Sequence, residues 1–283
     1  MLIIILLFVA QITDANFVVI GDWGRNSIGQ QRLSAAIEAR NPNFVISTGD
    51  NFYPDGIQHA KDPKIKKIWS DVFNTNRPWI SVLGNHDYAG NVSAQLAIPH
   101  KHWLMPNRYF DADIGDTAFW FIDTTPWMPF NYVEAHHARV EPLSLQIRQD
   151  FEQQQQHVPE QIKWLQNGVA NSNATYKYIV GHHPLWTYGY HMFGNHTRLI
   201  NVIMELHRKH SLTAYLCGHD HNLQHIRKEG LDQFLSGAGA TTYPVHNGPN
   251  LLFKATGPGF LHVKNQKATF VDQYNKEMYT TNI

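Results

Sequence analysis

The chain has 283 residues, 43% of them hydrophobic, which is enough for one large domain with a sizeable core or for two small ones. Lys plus Arg and Asp plus Glu number 23 each, so no global field favours nucleic acid or an anionic membrane surface, and any recognition of an anion must be local. The one cysteine, Cys217, excludes an intrachain disulfide; it sits in the apolar run Ala214-Tyr-Leu-Cys217 and reads as a buried, inert thiol.

The first element is an apolar run from Leu2 to Ala10, too short to span a bilayer and followed by the small-residue stretch Thr13-Asp14-Ala15. It reads as a signal peptide over residues 1–15, with the mature chain starting near Asn16, because a separate strand signal, Phe17-Val-Val-Ile20, follows at once. Residues 16–283 read as a single domain, with no internal repeat and no dividing linker. Sequons at Asn91, Asn173 and Asn195 fit a secretory route and offer sites for N-glycans. No apolar tail closes the sequence, so no lipid anchor is expected at that end.

From Phe17 onward one pattern recurs. A short run rich in β-branched and aromatic residues ends at or near glycine, and a metal-capable side chain follows. The five cases end at Gly21-Asp22, Gly49-Asp50, Gly84-Asn85-His86, Gly181-His182 and Gly218-His219-Asp220-His221. Such runs predict buried strands. Between them, Ile65, Ile68, Trp69, Val72 and Phe73, and then Leu199, Val202, Ile203, Leu206 and His210, repeat at helical spacing. Pro159 marks a helix start ahead of Ile162, Leu165 and Val169. The polar stretch from Pro126 to Val158 reads as a long surface loop with one helical piece. Leu231 to Gly239 predicts a strand, and Phe260 to Val271 a hairpin turning at Lys264 to Lys267.

Strand and helix alternation predicts an α/β fold, whose sites form beyond the carboxyl ends of strands. All five punctuated ends point there. Glycine at such a turn supplies either unusual dihedrals or close backbone approach. The side chains gathered are Asp22, Asp50, Tyr53, Asn85, His182, His219 and His221, all oxygen or imidazole ligands, which excludes a Cys-type zinc site and suits Fe, Mn or Zn. The phenolate of Tyr53 favours Fe(III). A lone histidine is usually structural, and His219 and His221 would share a face of a regular strand. Seven such residues at five matching turns are hard to explain by packing. His183 would point the other way on a regular strand and stays outside this set. Asp87 and Asp220, which adjoin the ligands, read as partners that orient imidazoles. His136, His137, His157, His207 and His210 read as surface residues.

GDWG, GDNFY, GNHD, GHHP and GHDH, in this order, resemble the five metal motifs of the purple acid phosphatases, above all the small tartrate-resistant animal type, within the calcineurin-like metallophosphoesterase superfamily. The resemblance implies two central mixed β-sheets packed as a sandwich with flanking helices. It implies that Asp22, Tyr53 and His221 hold Fe(III), that Asp50 bridges, and that Asn85, His182 and His219 hold a second, divalent metal (Fe, Zn or Mn). His86 would be the proton donor to the leaving group. His191 would be a second substrate-facing histidine, although Trp186-Thr-Tyr-Gly-Tyr190 departs from the family's pattern. Two carboxylates and one phenolate against Fe(III), a divalent ion and a bridging hydroxide leave about one net positive charge to attract phosphate. A metal-bound hydroxide nucleophile would persist at acidic pH, where a protonated His86 can donate. The expected protein is a secreted or lysosomal monomer acting on a small phosphate monoester or a phosphoprotein, with no nucleic acid partner and no stable membrane anchor. A phosphodiesterase acting on nucleotides or phospholipid head groups, and an inactive secreted metal-binding protein, are the alternatives.

Overall fold

The computed structural model describes residues 15–73, 76–129, 145–192 and 196–283; residues 1–14 of the expected signal peptide, Asn195, His136 and His137 lie outside them. Four parallel strands, β1 (Phe17–Ile20), β2 (Phe44–Ser47), β3 (Trp79–Ser81) and β4 (Trp103–Leu104), are buried along their whole length. That is the pattern of strands covered on both faces. A second set comprises β5 (Phe110–Ile114), β6 (Thr117–Phe121), β7 (Tyr176–Val180), β8 (Ala214–Cys217), β9 (Leu223–Lys228), β10 (Leu231–Ser236) and β11 (Leu251–Ala255). The chain then returns through β12 (Gly259–Lys264), β13 (Lys267–Asp272) and β14 (Glu277–Asn282) to the first sheet. The two seven-stranded sheets run β14-β13-β12-β1-β2-β3-β4 and β11-β9-β10-β8-β7-β6-β5. Both are mixed: β1, β2 and β3 pair in parallel, as do β6, β7 and β8, while β12 and β9 join antiparallel.

The sheets face one another across an aromatic core. Phe17 on β1 meets Phe119 on β6 and Tyr178 on β7 edge-on, with ring centroids 5.3 and 5.6 Å apart, and Phe44 meets Phe119 at 5.9 Å. Such pairs add about 0.5–1.5 kcal/mol each beyond the area they bury. Five α-helices lie among the described residues: α1 (Ile28–Arg40), α2 (Asn85–Tyr88), α3 (Val92–Leu96), α4 (Leu145–Asn171) and α5 (Thr197–His210). Ser27 caps α1 by accepting a hydrogen bond from the Gln30 amide, and the helix ends at Asn41, whose left-handed φ of 47° closes it. The two-sheet α/β architecture with flanking helices is the one expected. So is the hairpin of β12 and β13, whose two turn residues, Asn265 and Gln266, both have positive φ.

Three local expectations need correction. Pro159 does not start a helix but lies inside α4, exposed, while Phe151, Val158, Leu165 and Val169 form one buried stripe on either side of it. Polar anchors hold that stripe in place. Gln161 accepts from the Asp123 amide at 3.0 Å, and Arg108 binds Asp150 at 2.9 Å and the Tyr88 hydroxyl at 2.7 Å. These contacts lie on both sides of Pro159 and tie the helix to the rest of the fold. In the expected surface loop Trp127 and Met128 are instead buried, while residues 145–158 form its helical piece, mostly exposed and docked through Phe151 and Val158; residues 130–144 lie outside the described set. Finally, Ile65–Ser70 forms a π-helical turn, not an α-helix. The wider turn seats Trp69 against Trp79 and Trp103, with centroids at 6.2 and 5.0 Å.

Candidate metal centre

The parallel register of β1, β2 and β3 brings the turns after Ile20, Ser47 and Ser81 to one edge of the first sheet. The register of β7 and β8 does the same for the turns after Val180 and Cys217. A backbone bond from Gly21 to the Ser236 carbonyl, 2.7 Å, ties the two edges together. Below them Trp23 donates its indole N–H to Ser47 at 2.8 Å and packs against Phe52, Phe73 and Trp79. That floor fixes the residue next to Asp22.

The glycines act by close approach more than by dihedral freedom. A Cβ on Gly84 would lie 2.2 Å from Oδ1 of Asp50, and one on Gly218 would lie 2.5 Å from Oδ2 of Asp22. The left-handed backbone sits instead on the functional side chains: φ is 58° at Asp22, 53° at Asp50 and 68° at His219. Each costs about 1–2 kcal/mol for an L-residue. Three such residues around one point mark a site whose surroundings hold a strained backbone for a purpose other than packing.

The seven sequence-designated residues converge on two adjoining nests. In the first, the Tyr53 hydroxyl lies 2.9 Å from Oδ2 of Asp50, 3.2 Å from Oδ1 of Asp22 and 3.0 Å from Nε2 of His221. In the second, Nε2 of His182 lies 3.1 Å from Oδ1 of Asn85, 3.1 Å from Nδ1 of His219 and 3.5 Å from Oδ1 of Asp50. Asp50 thus offers one oxygen to each nest. His219 and His221 share no strand face, because β8 ends at Cys217, and each turns into a different nest. All seven side chains are buried.

The nests fit cations better than hydrogen bonds. Tyr53 has one hydroxyl proton for three acceptor-capable neighbours. In the second nest, Nδ1 of His182 is 2.8 Å from the Thr48 carbonyl, which can only accept, so Nδ1 carries the proton and Nε2 turns a lone pair toward the Asn85 oxygen. Charge tells the same story. Burial, then the charge of Asp50, pushes Asp22 well above the carboxylate range. Burial pushes Asp50 the same way, but His182, His86 and the His86 amide outweigh it and hold Asp50 low. Burial, then Asp50 and Asp22, pushes the Tyr53 phenol up, and burial brings His221 down to about 4. Protein groups alone cannot ionise both carboxylates and the phenol in one buried space. Hard oxygens mixed with imidazoles are the donor set that suits first-row metals.

The mouth carries further groups. His86, half-buried, places Nδ1 2.6 Å from the Pro54 carbonyl, donates its amide to Asp50 at 2.9 Å, and sets its ring 4.6 Å from that of Tyr53. The His191 ring lies 4.2 Å from the ring of His219. Two neighbours escape the sequence pattern. The Arg25 guanidinium stands 5.0 Å over the Tyr53 ring and is exposed. His183 is drawn to the second nest, with one ring nitrogen of each of His182, His183 and His219 within 4.8 Å of the others. Thr124 explains this: its hydroxyl oxygen accepts from both the His182 and His183 amides at 3.3 and 3.1 Å and contacts Nδ1 of His183 at 2.9 Å. Asp87 accepts from the Asn51 and Gly84 amides, and Asp220 accepts from the Tyr190 amide and the Thr187 hydroxyl, so both brace the turns that carry the site. Cys217 is buried, and burial pushes its thiol up, as expected of an inert group. Asn91 and Asn173 are exposed. No helix among the described residues is long and apolar enough to cross a membrane.

A sequence profile of the calcineurin-like phosphoesterase family matches residues 15–223. Over 274 residues the chain is 34% identical to purple acid phosphatase 7 of Arabidopsis thaliana, covering 90% of this chain and 81% of that one. It is 30% identical over 306 residues to tartrate-resistant acid phosphatase type 5 of Sus scrofa, covering 94% and 86%. Among solved structures, GAP50, described as the anchor in the inner membrane complex of Plasmodium, superposes with a TM-score of 0.75 at 22% identity over 96% of this chain and 89% of that one.

Proposed function

We infer the chemistry from one premise: the chain belongs to the calcineurin-like phosphoesterase family, among its purple acid phosphatases. It is an acid phosphatase with a dinuclear metal centre. The reading is carried by the two nests that share Asp50, since one carboxylate serving two adjoining donor sets is what a bridged metal pair requires. In the finer assignment Asp22, Tyr53 and His221 would hold Fe(III), Asn85, His182 and His219 would hold a divalent Fe, Zn or Mn, and Asp50 would serve both. Two ions held there would supply Lewis acidity toward the phosphoryl oxygens and toward an attacking water.

The chain's own groups supply the rest. Asp22 and Asp50 sit on left-handed turns against close-packed glycines, which holds their carboxylates in place. The Thr48 carbonyl keeps the His182 ring in one tautomer and orientation. With Nδ1 of His86 on the Pro54 carbonyl, Nε2 is the atom from which a protonated ring passes its proton to the departing oxygen. Arg25 adds positive charge at the mouth of a protein that is neutral overall.

The substrate in this reading is a phosphate monoester, either a small molecule or a phosphoprotein. A leader over residues 1–15, glycans at Asn91, Asn173 and Asn195, and a secreted or lysosomal monomer complete it. The likeness to GAP50 shows shared architecture only, and architecture does not assign activity. The test is turnover at acidic pH of p-nitrophenyl phosphate against bis(p-nitrophenyl) phosphate. Faster hydrolysis of the monoester supports the reading. A preference for the diester would make the chain a phosphodiesterase, and no turnover of either by metal-loaded protein would make it an inactive binder.

A further inference from the structure

Tyr190 and Tyr243 stand beside the metal nests, and the mechanism above uses neither. Tyr190 is among the few large apolar side chains that are strongly exposed, at 62%. Its ring lies 5.0 Å from that of His191, nearly perpendicular, and 5.7 Å from that of Tyr243. Tyr243 in turn stacks on His221 of the first nest, with centroids 4.8 Å apart and planes within 10°. His191 leads back to His219 of the second nest. The two tyrosines therefore form an aromatic shelf that reaches both nests and ends in solvent.

The shelf is built into the backbone of the site. The Tyr243 amide donates to the His221 carbonyl at 2.8 Å, and the Tyr190 amide donates to Asp220 at 3.0 Å. Both rings are thus hung on the turn from Gly218 to His221 that carries two candidate ligands. An exposed ring held at fixed height beside a phosphate-binding point favours a second flat ring laid upon it, because stacking removes apolar area from water and pairs complementary quadrupoles. Alkyl groups gain less there. On the Tyr53 side of the first nest the corresponding neighbour is the Arg25 cation, which offers charge and no such shelf.

We propose that Tyr190 and Tyr243 set leaving-group specificity, so that the phosphate esters this protein takes best carry a planar ring close to the phosphoryl group. This rests on the phosphatase reading, and its test separates the two. The class includes a phosphotyrosine side chain, with the ring on the ester oxygen, and a nucleoside monophosphate, with the base one sugar away.

The test uses the intact metal-loaded protein and two competitive inhibitors that are not hydrolysed, phenylphosphonate and methylphosphonate, so that leaving-group reactivity does not enter. In the wild type phenylphosphonate should bind more tightly. In Tyr190→Ala the ratio of the two inhibition constants should shift about tenfold toward methylphosphonate, on the scale of one lost stacking contact, with metal content unchanged and with Tyr190→Phe restoring the wild-type ratio. Tyr243→Leu, checked by metal content because the ring touches His221, should shift the ratio the same way. KM for a phosphotyrosine peptide and for AMP then identifies the source: a rise in Tyr190→Ala confined to one of them names it, and a rise in both assigns the shelf to rings at either distance. An inhibitor ratio that does not move in Tyr190→Ala, or a Tyr190→Phe variant that behaves like the alanine variant, overturns the proposal. A wild type that hydrolyses no monoester defeats the phosphatase reading itself.

Discussion

The hydroxyl of Tyr53 and the near carboxylate oxygen of Asp50 lie 2.9 Å apart in a space from which water is largely excluded. Burial, then the charge of Asp50, makes the Tyr53 phenol harder to ionise unless a cation joins the two groups. Tyr53→Phe should therefore retain bound metal but lose the visible charge-transfer band that a phenolate on Fe(III) produces. The check is an absorption spectrum alongside iron analysis. A wild-type protein that is colourless when oxidised and fully loaded would contradict the ferric assignment.

His86 should behave as a proton donor. Its replacement by Asn should lower kcat by about 10²–10⁴-fold for esters of poor alkoxide leaving groups. The loss should be smaller for p-nitrophenol, which departs without help, and metal content should stay at the wild-type level. Equal losses on both substrates together with one missing metal equivalent would instead make His86 a ligand.

Arg25 should act through charge alone. Arg25→Ala should raise KM for phosphate monoesters by about two- to fivefold, the scale of an exposed ion pair, and should weaken the dependence of KM on ionic strength. Steady-state kinetics at low and high salt measure both.

Stability should fall toward acid partly through His262. Burial, then Arg40 and Lys264, holds this imidazole at about 4 instead of its ordinary 6.5, and its Nε2–H donates to Asn16 at 2.8 Å. The unfolded chain then binds a proton that the folded chain refuses. The histidine's contribution is intact above pH 6.5 and drains away as pH falls toward 4. His262→Gln, which keeps a donor but does not titrate, should show a shallower loss of Tm between neutral and acidic pH.

Much of the site is legible in the sequence because the fold repeats one device. A buried strand stops, glycine lets backbone and carboxylate come within contact, and the next side chain faces inward. Asp22, Asp50, Asn85, His182 and His219 follow that rule, and the structure brings them together with Tyr53 and His221. The rule fails where strand geometry has ended. Alternation places His183 away from the ligands, yet β7 stops at Val180 and Thr124 resets the two amides beyond it. Arg25 carries no periodic signal, since only the cis-to-site contact with Tyr53 gives it meaning. Pro159 misleads because its local preference is overruled by anchors more than 30 residues away in sequence, Asp123 to Gln161 and Arg108 to Asp150.

The central claim is that catalysis needs both nests filled. The direct measurement is a metal titration of stripped protein, following bound equivalents and turnover of p-nitrophenyl phosphate at acidic pH together. Activity should stay low through the first equivalent and reach its plateau at about two, as a two-metal site requires. Full activity at one equivalent, or none at two, would contradict the account.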